Sequence, residues 1–298
     1  MQTASTLPAG PFTGLWIPLV TPFAADGRID HAALAALCRR LRGDGIAGFV
    51  ACGSTGEPAA LDGDEQLAVL DTVLAAAGGL PVVMGLSGYH LPKLLAQLEA
   101  VACRPVAGLL VPAPSYVRPS QAGLLQWFTA LADASPVPLV LYDIPYRTGT
   151  TIARETLLAL AAHPRIRAIK DCGGDGLKTQ ALIADGRLQV LTGEDAQLFT
   201  TMALGGTGAI AASAHGQTRR FADVVRLLAE GRLAEARAQW RPLLPWIEGV
   251  FAEPNPGPLK AVLARQGAMG SLLRAPMTPA SEALAERLTL LDAELSRR

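Results

Sequence analysis

The sequence predicts a (β/α)8 barrel, or TIM barrel, followed by a small C-terminal α-helical domain. Eight short apolar runs alternate with longer amphipathic runs, as strands and helices do in such a barrel. Strand-like runs stop near residue 232, and only helical patterns follow. The length of 298 residues also suits a barrel of roughly 250 residues with an appendage. We therefore predict a barrel over residues 1–231 and a helical domain over residues 232–298.

The eight predicted strands are short and apolar on both faces. The parallel strands of a barrel are apolar on both faces because helices cover one face and the barrel interior covers the other. A strand followed by a helix, eight times over, favours a closed barrel rather than an open sheet. The predicted strands lie at residues 14–21, 46–52, 81–86, 107–112, 137–143, 166–170, 187–192 and 207–212.

The segments after the strands predict the helices, and four of these helices are preceded by residues typical of N-caps. Such side chains accept hydrogen bonds from free amides of the first helical turn. The expected caps are Asp30, Asp62, Ser120 and Thr151. The predicted barrel helices lie at residues 30–43, 62–77, 91–103, 119–133, 153–162, 174–185, 194–203 and 215–229. Further helices are predicted at residues 232–251, 257–268 and 280–297, with breaks at Pro254, Pro256 and Pro276.

The composition argues against several classes of partner. Hydrophobic residues make up 50% of the chain and charged residues 17%, and the net charge is zero. A large core is therefore expected, and nucleic-acid binding is not. No apolar run reaches the ~18 residues of a membrane-spanning helix, so no membrane partner is expected. The four histidines lack the spacing of metal ligands, and we expect no metal.

The N-terminus and the cysteines indicate a cytoplasmic protein. Residues 1–14 contain no basic residue and no apolar core of the kind found in signal peptides. The cysteines show no CxxC pair, and we expect buried, reduced thiols at Cys38, Cys52, Cys103 and Cys172. A nucleophilic role for Cys172 is a weak alternative, because no histidine lies near it in the sequence.

Lys170 is the first candidate for chemistry. The chain contains four lysines against 22 arginines, and only Lys170 ends an apolar strand, IRAIK. Active sites of these barrels lie at the carboxyl ends of the strands. A desolvated ammonium can lose its proton and act as a nucleophile, whereas a guanidinium cannot. From the residues alone, an ordinary ion pair of Lys170 with Asp171 or Glu57 is an equally good interpretation.

Tyr142 and the segment Gly53-Ser54-Thr55-Gly56-Glu57 also end predicted strands. A tyrosine held by another hydroxyl, such as that of Ser54, is suited to move protons during imine chemistry. The alternative for Tyr142 is an ordinary aromatic residue at the barrel rim. The amides of the GSTGE segment are able to hold a carboxylate as an anion nest.

The motifs together resemble the dihydrodipicolinate synthase and N-acetylneuraminate lyase family of class I aldolases. The similarity runs from TGLWIPLVTPF to LRAPMTP, nearly end to end. The matching motifs are GSTGE (53–57), YVRPSQAG (116–123), YDIPYRTG (142–149), IKD (169–171), GED (193–195) and EPNPGPLK (253–260).

The resemblance implies a role for each matching residue. Lys170 matches the lysine that forms a Schiff base with pyruvate, and Tyr142 matches the proton-shuttling tyrosine. Ser54 matches the hydroxyl residue that links Tyr142 to a second tyrosine, which is Tyr116 here and is contributed across a subunit interface. Four further positions match substrate-binding residues: Thr55 at the pyruvate carboxylate, Arg147 at the second substrate's carboxylate, and Gly193 and Ile210 at the pocket wall.

Within the family, the sequence is most similar to the synthase that condenses pyruvate with aspartate 4-semialdehyde in lysine biosynthesis. Sialic-acid lyases typically lack the residue matching Arg147, whose guanidinium can pair with a carboxylate. Three departures leave the aldehyde open: Ser54 replaces threonine, Asp143 replaces asparagine and adds a negative charge beside the pocket, and Tyr146 fills a slot that is often small.

Two alternatives remain beside the synthase. One is another pyruvate-dependent aldolase acting on a 2-keto-3-deoxy sugar acid, N-acetylneuraminate or a hydroxy-keto acid. The other is a non-catalytic metabolite sensor, which the full set of site residues disfavours. The resemblance further implies a homotetramer built as a dimer of dimers and no cofactor.

The positions matching the family's lysine-inhibition site lack its usual residues. They carry Pro58, Gly63, Gln66, Tyr89, Lys93 and Ser115. Lys93 would repel the ammonium groups of a bound lysine, whereas an acidic residue would attract them. We therefore predict weak or absent inhibition by lysine.

Overall fold

The computed structural model describes residues 10–297, which form a closed barrel of eight parallel strands. The strands follow the order of the chain around the barrel, and the first pairs with the eighth. This confirms the predicted TIM barrel. The N-terminal segment that was predicted not to be a signal peptide spans residues 1–14. Its first part, residues 1–9, lies outside the described residues. The strands are β1 (Gly14–Pro18), β2 (Gly48–Ala51), β3 (Val82–Gly85), β4 (Gly108–Pro112), β5 (Leu139–Asp143), β6 (Ile166–Asp171), β7 (Gln189–Thr192) and β8 (Gly208–Ile210).

The helices largely follow the predicted order. They are α1 (His31–Leu41), α2 (Gly63–Ala76), α3 (Leu91–Ala102), α4 (Gln121–Ala134), α5 (Pro145–Thr148), α6 (Arg154–Leu160), α7 (Gly176–Asp185), α8 (Leu198–Ala203), α9 (Thr218–Ala229), α10 (Leu233–Trp240), α11 (Leu244–Val250), α12 (Gly257–Arg265) and α13 (Glu282–Arg297). The short helix α5 was not predicted. The segment predicted as one helix over residues 232–251 is divided by a 3-10 turn, Arg241–Leu243, with prolines at 242 and 245.

Three of the four expected N-caps are present. The side chains of Asp30, Asp62 and Ser120 each accept a hydrogen bond from an amide in the first turn of α1, α2 and α4. The prediction for Thr151 is wrong, because α6 begins at Arg154. Instead, the Gln121 side chain accepts a hydrogen bond from the Ala153 amide and donates one to the Thr151 carbonyl. Gln121, which lies 30 positions from Thr151 in the sequence, therefore supplies the hydrogen bonds that were expected from a local cap.

The strands separate two apolar regions of the core. Residues of one strand face pack against the surrounding helices, and residues of the other face fill the barrel interior. The interior group comprises Phe12, Trp16, Val50, Val83, Leu110, Val140, Tyr142, Ile144, Ala168, Cys172, Leu191 and Ile210. Because side chains alternate along a strand, neighbouring residues at the ends of β5 and β6 point to opposite sides of the wall.

Glycines let the last strand close the barrel. Gly208 on β8 lies against Gly14 on β1, where an added Cβ would stand 2.1 Å from the Gly14 carbonyl oxygen. Gly205, just before β8, has a φ of +102°, a backbone conformation that favours glycine. Gly205 therefore lies in a tight turn that leads into the eighth strand.

After α9 the chain is helical, as the sequence predicts. Trp246 on α11 packs over Gly216 and donates a hydrogen bond to the Ser213 carbonyl, so this region is tied to the loop after β8. The division into domains at residues 231 and 232 remains a prediction. Within residues 10–297, no helix combines the length and apolar character needed to cross a membrane.

Three of the four cysteines are buried, and Cys103 is exposed. The expectation of a buried thiol is therefore wrong for Cys103. This residue follows the last turn of α3 on its solvent side, and its thiol contacts only the carbonyl of Glu99 one turn earlier.

Candidate functional site

A cavity of about 350 Å³ opens at the carboxyl ends of the strands. Seven of the eight predicted site residues line it: Ser54, Thr55, Tyr142, Arg147, Lys170, Gly193 and Ile210. These residues come from the ends of β5, β6 and β8 and from the loops after β2, β5 and β7. The structure therefore brings together residues that are up to 156 positions apart in the sequence, Ser54 and Ile210.

Lys170, at the end of β6, lies inside the barrel with 5% of its surface exposed. Its Nζ atom stands 4.5 Å from the centre of the Tyr142 ring. Burial lowers the pKa of this amine below that of an ordinary lysine, because a charged form loses its hydration. The neighbouring carboxyl groups of Asp195 and Glu194 oppose this shift. The environment therefore favours a neutral, nucleophilic amine.

The alternative of an ordinary ion pair for Lys170 does not hold. Glu57 pairs with Lys260 of α12. Asp171 accepts hydrogen bonds from the Gly173 amide and the Thr179 hydroxyl. Among residues 10–297, no carboxylate forms an ion pair with Lys170.

Tyr142 lies beside Lys170 because the two residues are paired in register on β5 and β6. Burial raises the pKa of its hydroxyl well above that of an ordinary tyrosine, and a hydrogen-bonding interaction with Ser54 opposes the shift. The hydroxyl therefore keeps its proton at neutral pH. Ser54, in the 3-10 turn after β2, lines the same cavity. This contact is the one that the sequence predicts between Tyr142 and a hydroxyl residue.

The GSTGE segment is held by residues on helix α12 and on the loop just before it. Glu57 has a φ of 55° and is buried together with Lys260, with which it pairs. Asn255 donates a hydrogen bond of 3.1 Å to the Thr55 hydroxyl. The amides of Gly56 and Glu57 donate to carbonyls inside the segment, so neither is free for a bound carboxylate. The predicted anion nest is thus limited to the other amides of the segment.

Arg147 and Tyr146 lie side by side on the short helix α5, and both line the cavity. Their side chains are largely exposed, unlike that of Lys170. In the described part of the chain, no carboxylate forms an ion pair with Arg147, so its guanidinium is available at the cavity mouth. Tyr146 occupies the space beside it, and partial burial together with the nearby Glu194 raises the pKa of its hydroxyl.

Tyr116 is the predicted site residue that the structure places elsewhere. It lies on the loop between β4 and α4, with 90% of its surface exposed. Its φ is +74°, and that of Arg118 is +46°, a conformation that non-glycine residues adopt at a cost of roughly 1–3 kcal/mol. Tyr116 does not line the cavity of its own chain.

The expectation that Asp143 adds a negative charge beside the pocket is wrong. The residue follows Tyr142 on β5, so its side chain points out of the barrel. It is fully buried and forms an ion pair with Lys178 of α7. Its Oδ1 atom accepts a hydrogen bond of 3.0 Å from the Ile152 amide.

Several cavity residues were not proposed from the sequence. Asp195 follows β7, and its carboxyl is 3% exposed. Burial raises the pKa of this carboxyl to about 6, and hydrogen bonds from Ser213 and the charge of Lys170 oppose the shift. Its place at the end of a strand was the signal available in the sequence. The other cavity residues are Tyr146, Ala212, Phe251, Ala252, Glu253, Pro254 and Asn255.

The cavity is lined by amine, hydroxyl, carboxyl and guanidinium groups, but they are not arranged as metal ligands. Across residues 10–297, no group of three or more histidine, cysteine, aspartate or glutamate side chains is placed to hold a metal ion. The arrangement suits covalent chemistry on a keto acid, because an amine lies deep in the pocket and a guanidinium lies at its mouth.

The chain is similar to known proteins over nearly its whole length. The model of the dihydrodipicolinate synthetase family matches residues 11–293. The 4-hydroxy-tetrahydrodipicolinate synthase of Sorangium cellulosum (strain So ce56) is 39% identical over 293 residues, which cover 97% of this chain and 96% of that protein.

Solved structures share the fold closely. The chloride-inhibited dihydrodipicolinate synthase from Acinetobacter baumannii, complexed with pyruvate, has a TM-score of 0.92 at 28% identity, over 95% of this chain and 99% of that chain. A monomeric dihydrodipicolinate synthase variant has a TM-score of 0.91 at 26% identity, over 96% of this chain and 98% of that chain.

Proposed function

Because this chain belongs to the dihydrodipicolinate synthetase family, we propose that it condenses pyruvate with L-aspartate 4-semialdehyde through an imine on Lys170. Membership confirms the resemblance drawn from the motifs, and with it the prediction of a lyase-type aldolase. The substrates, the imine and the roles of the site residues are parts of the proposal. It assigns the chain to lysine biosynthesis.

The observation that carries the proposal is the buried amine of Lys170, which forms no ion pair within the part of the chain that the structure describes. Its lone pair attacks the keto carbon of pyruvate, and the keto oxygen leaves as water. In the proposed step, Tyr142 donates a proton to the departing oxygen and recovers it through Ser54. Thr55 binds the pyruvate carboxylate, while Gly193 and Ile210 form the wall around the methyl group. Removal of a methyl proton then gives the nucleophilic enamine.

Arg147 supports the assignment of the second substrate. An exposed guanidinium at the mouth of the cavity is suited to bind the carboxylate of an incoming amino-acid aldehyde. The enamine then attacks the aldehyde carbon to form the new carbon–carbon bond. The substrate's own amine attacks the imine carbon and displaces Lys170, which closes the ring of the product.

The exposure of Tyr116 supports an assembly of several copies. A tyrosine that is 90% exposed on a strained loop gains little in an isolated chain. We assign it to the neighbouring subunit's site, next to Ser54, within a homotetramer built as a dimer of dimers.

The proposal includes no metal or organic cofactor, since the lysine itself supplies the electron sink. It places the protein in the cytoplasm, where pyruvate is abundant and thiols such as that of Cys103 remain reduced.

Reductive trapping tests the imine directly. We expect borohydride to fix labelled pyruvate onto Lys170, so that peptide mapping finds the label on that side chain. Lys170→Ala should abolish the label, whereas Lys93→Ala, at an exposed lysine on α3, should retain it. Label on another lysine, or full turnover by Lys170→Ala, would overturn the mechanism.

A second candidate function is cleavage of a 2-keto-3-deoxy sugar acid, N-acetylneuraminate or a hydroxy-keto acid through the same imine. Tyr146 favours it, because its bulky side chain narrows the cavity mouth and its hydroxyl can bind a sugar hydroxyl. Turnover with pyruvate and aspartate semialdehyde, compared with cleavage of each alternative compound, separates the two functions. A larger kcat/KM for any sugar acid would replace the synthase assignment.

A further inference from the structure

Asp195 is fixed in the wall of the cavity that Lys170 occupies. Its Oδ2 atom accepts two hydrogen bonds of 2.6 Å, from the backbone amide and from the hydroxyl of Ser213. The residue lies just after β7, and Ser213 lies just after β8. The Asp195 carboxyl is therefore held by Ser213, a residue near the end of the neighbouring strand β8. It lines the cavity although only 3% of its surface is exposed.

The charges around Lys170 single out this carboxyl. The groups that act on the amine are Cys172, Asp195, Glu194 and Arg147. Burial raises the pKa of the Cys172 thiol, so this group stays neutral. Glu194 acts from outside the cavity lining, and Arg147 carries the same sign of charge as a protonated amine. Two carboxyls line the cavity with Lys170. Glu253 is half-buried and accepts hydrogen bonds from Ser281, whereas Asp195 is 3% exposed and acts on the amine.

From this arrangement, and given the imine of the proposed function, we infer that Asp195 is the counter-charge of the protonated imine on Lys170. Formation of the imine creates a positive charge on the Lys170 nitrogen, which is neutral before the reaction. The neutral amine forms a bond to the keto carbon, and the carbon–oxygen bond breaks. The oxygen takes one proton from the amine and one from the relay, and leaves as water. The nitrogen keeps its other proton, so the imine is a cation.

A single buried charge costs several kcal/mol unless an opposite charge compensates it. Before the reaction, burial favours the neutral amine of Lys170, whereas it raises the pKa of Asp195 only to about 6, so that most of this carboxyl is already ionised at pH 7. Once the imine forms, the nitrogen remains charged, and the ionised Asp195 restores neutrality within the cavity. Asp195 therefore acts on the stability of the imine and not on the first contact with pyruvate.

Two variants separate this role from a structural one. Asp195→Asn keeps an oxygen that accepts the hydrogen bonds of Ser213 but removes the charge. Ser213→Ala removes one of these hydrogen bonds but keeps the charge. If Asp195 mainly holds the loop after β8, both variants should behave alike. If it balances the imine, only Asp195→Asn should impair trapping of pyruvate.

The experiment measures the pyruvate concentration that half-saturates borohydride trapping. For Asp195→Asn we expect this concentration to rise about tenfold or more, the effect of losing roughly 1.4 kcal/mol of charge stabilisation. Ser213→Ala should stay within about threefold of the wild type, since the charge of Asp195 remains and the backbone amide of residue 213 still donates to its Oδ2 atom. Lactate, a carboxylate that cannot form an imine, should compete equally well in the wild type and in Asp195→Asn.

The outcomes are distinguishable. Trapping by Asp195→Asn at wild-type pyruvate concentrations would overturn the inference, and so would an equal loss of affinity for pyruvate and lactate. Failure of the wild-type protein to trap pyruvate would instead overturn the proposed function. A loss of pyruvate trapping with unchanged lactate competition would support the counter-charge.

Discussion

Lys178 of α7 forms an ion pair with Asp143 at the end of β5, and both side chains are buried outside the barrel wall. Asp143 is paired in register with Asp171 of β6, the strand that carries Lys170. On the other side of the wall, Tyr142 and Lys170 face each other in register. The same strand ends thus present cavity residues inward and an ion pair outward. Gly173 leaves room for the pair, since a Cβ there would stand 2.6 Å from the Asp143 carboxylate.

We predict that removing one partner of this pair destabilises the protein strongly. Lys178→Met leaves the Asp143 carboxylate buried without its counter-charge, which typically costs about 3–5 kcal/mol. The free energy of unfolding from urea denaturation measures the loss. The double variant Asp143→Asn with Lys178→Met should recover most of it, because no buried charge remains. A loss below about 1 kcal/mol for Lys178→Met would show that water reaches the pair.

Arg147 should affect the second substrate and not the first. Arg147→Ala removes the guanidinium at the cavity mouth, so we predict a rise of about tenfold to a hundredfold in KM for aspartate semialdehyde. The half-saturating pyruvate concentration in borohydride trapping should change little, since Lys170 is untouched. Arg154→Ala, at an exposed arginine of α6, is the matched control. An equal loss for both substrates would indicate a structural role.

Lysine is predicted to inhibit weakly or not at all. The structure exposes Tyr89 and Lys93, and neither side chain carries a carboxylate that would attract an incoming ammonium group. The amide of Gln66 donates to the carbonyls of Pro58 and Leu61, and its oxygen accepts from Gln97. These contacts occupy the side chain within its own chain. Steady-state rates across a lysine titration test this, and strong inhibition below about 1 mM would refute it.

His215 should make the fold sensitive to acid. It is 1% exposed, its Nδ1 donates to the Ala212 carbonyl, and its Nε2 accepts from the Val20 amide. Burial lowers its pKa from 6.5 to about 4. Between these values the unfolded chain binds a proton that the native protein does not. The stabilisation is therefore complete above pH 6.5 and is lost as the pH falls toward 4, by about 3 kcal/mol in total.

The comparison of wild type with His215→Gln isolates this effect. The raised pKa of Asp195 acts in the opposite direction over an overlapping range, but it is present in both proteins and cancels in the difference. We expect the variant to lose less stability than the wild type between pH 7 and pH 4, measured by urea denaturation at each pH. Parallel pH dependences would contradict the assignment to His215.

Residues at strand ends were predictable because the barrel places all eight ends at one rim. Lys170, Tyr142 and Thr55 follow from this rule together with the motif resemblance, and the structure places all three at one cavity. Asp143 was not predictable, although it also ends a strand, because its partner Lys178 lies 35 residues away on a helix. Its direction follows from the alternation along β5 only once the inward face of Tyr142 is known.

The cap of α6 shows the same limit at a smaller scale. Thr151 has the right chemistry for a local cap, yet the helix begins later and Gln121 supplies the hydrogen bonds. A competing side chain from α4 decides the outcome, and no window of sequence around residue 151 contains it.

By itself, the sequence determined the barrel, the order of its elements and the motifs that carry the chemistry. These features depend on local periodicity and on residue types at strand ends, which a chain displays along its length. The tertiary structure alone decided that Lys170 has no ion pair among residues 10–297, that Glu57 pairs with Lys260, and that Asp195 shares the cavity wall. Ion pairing and burial depend on distances between residues remote in the sequence, and only the folded chain sets those distances.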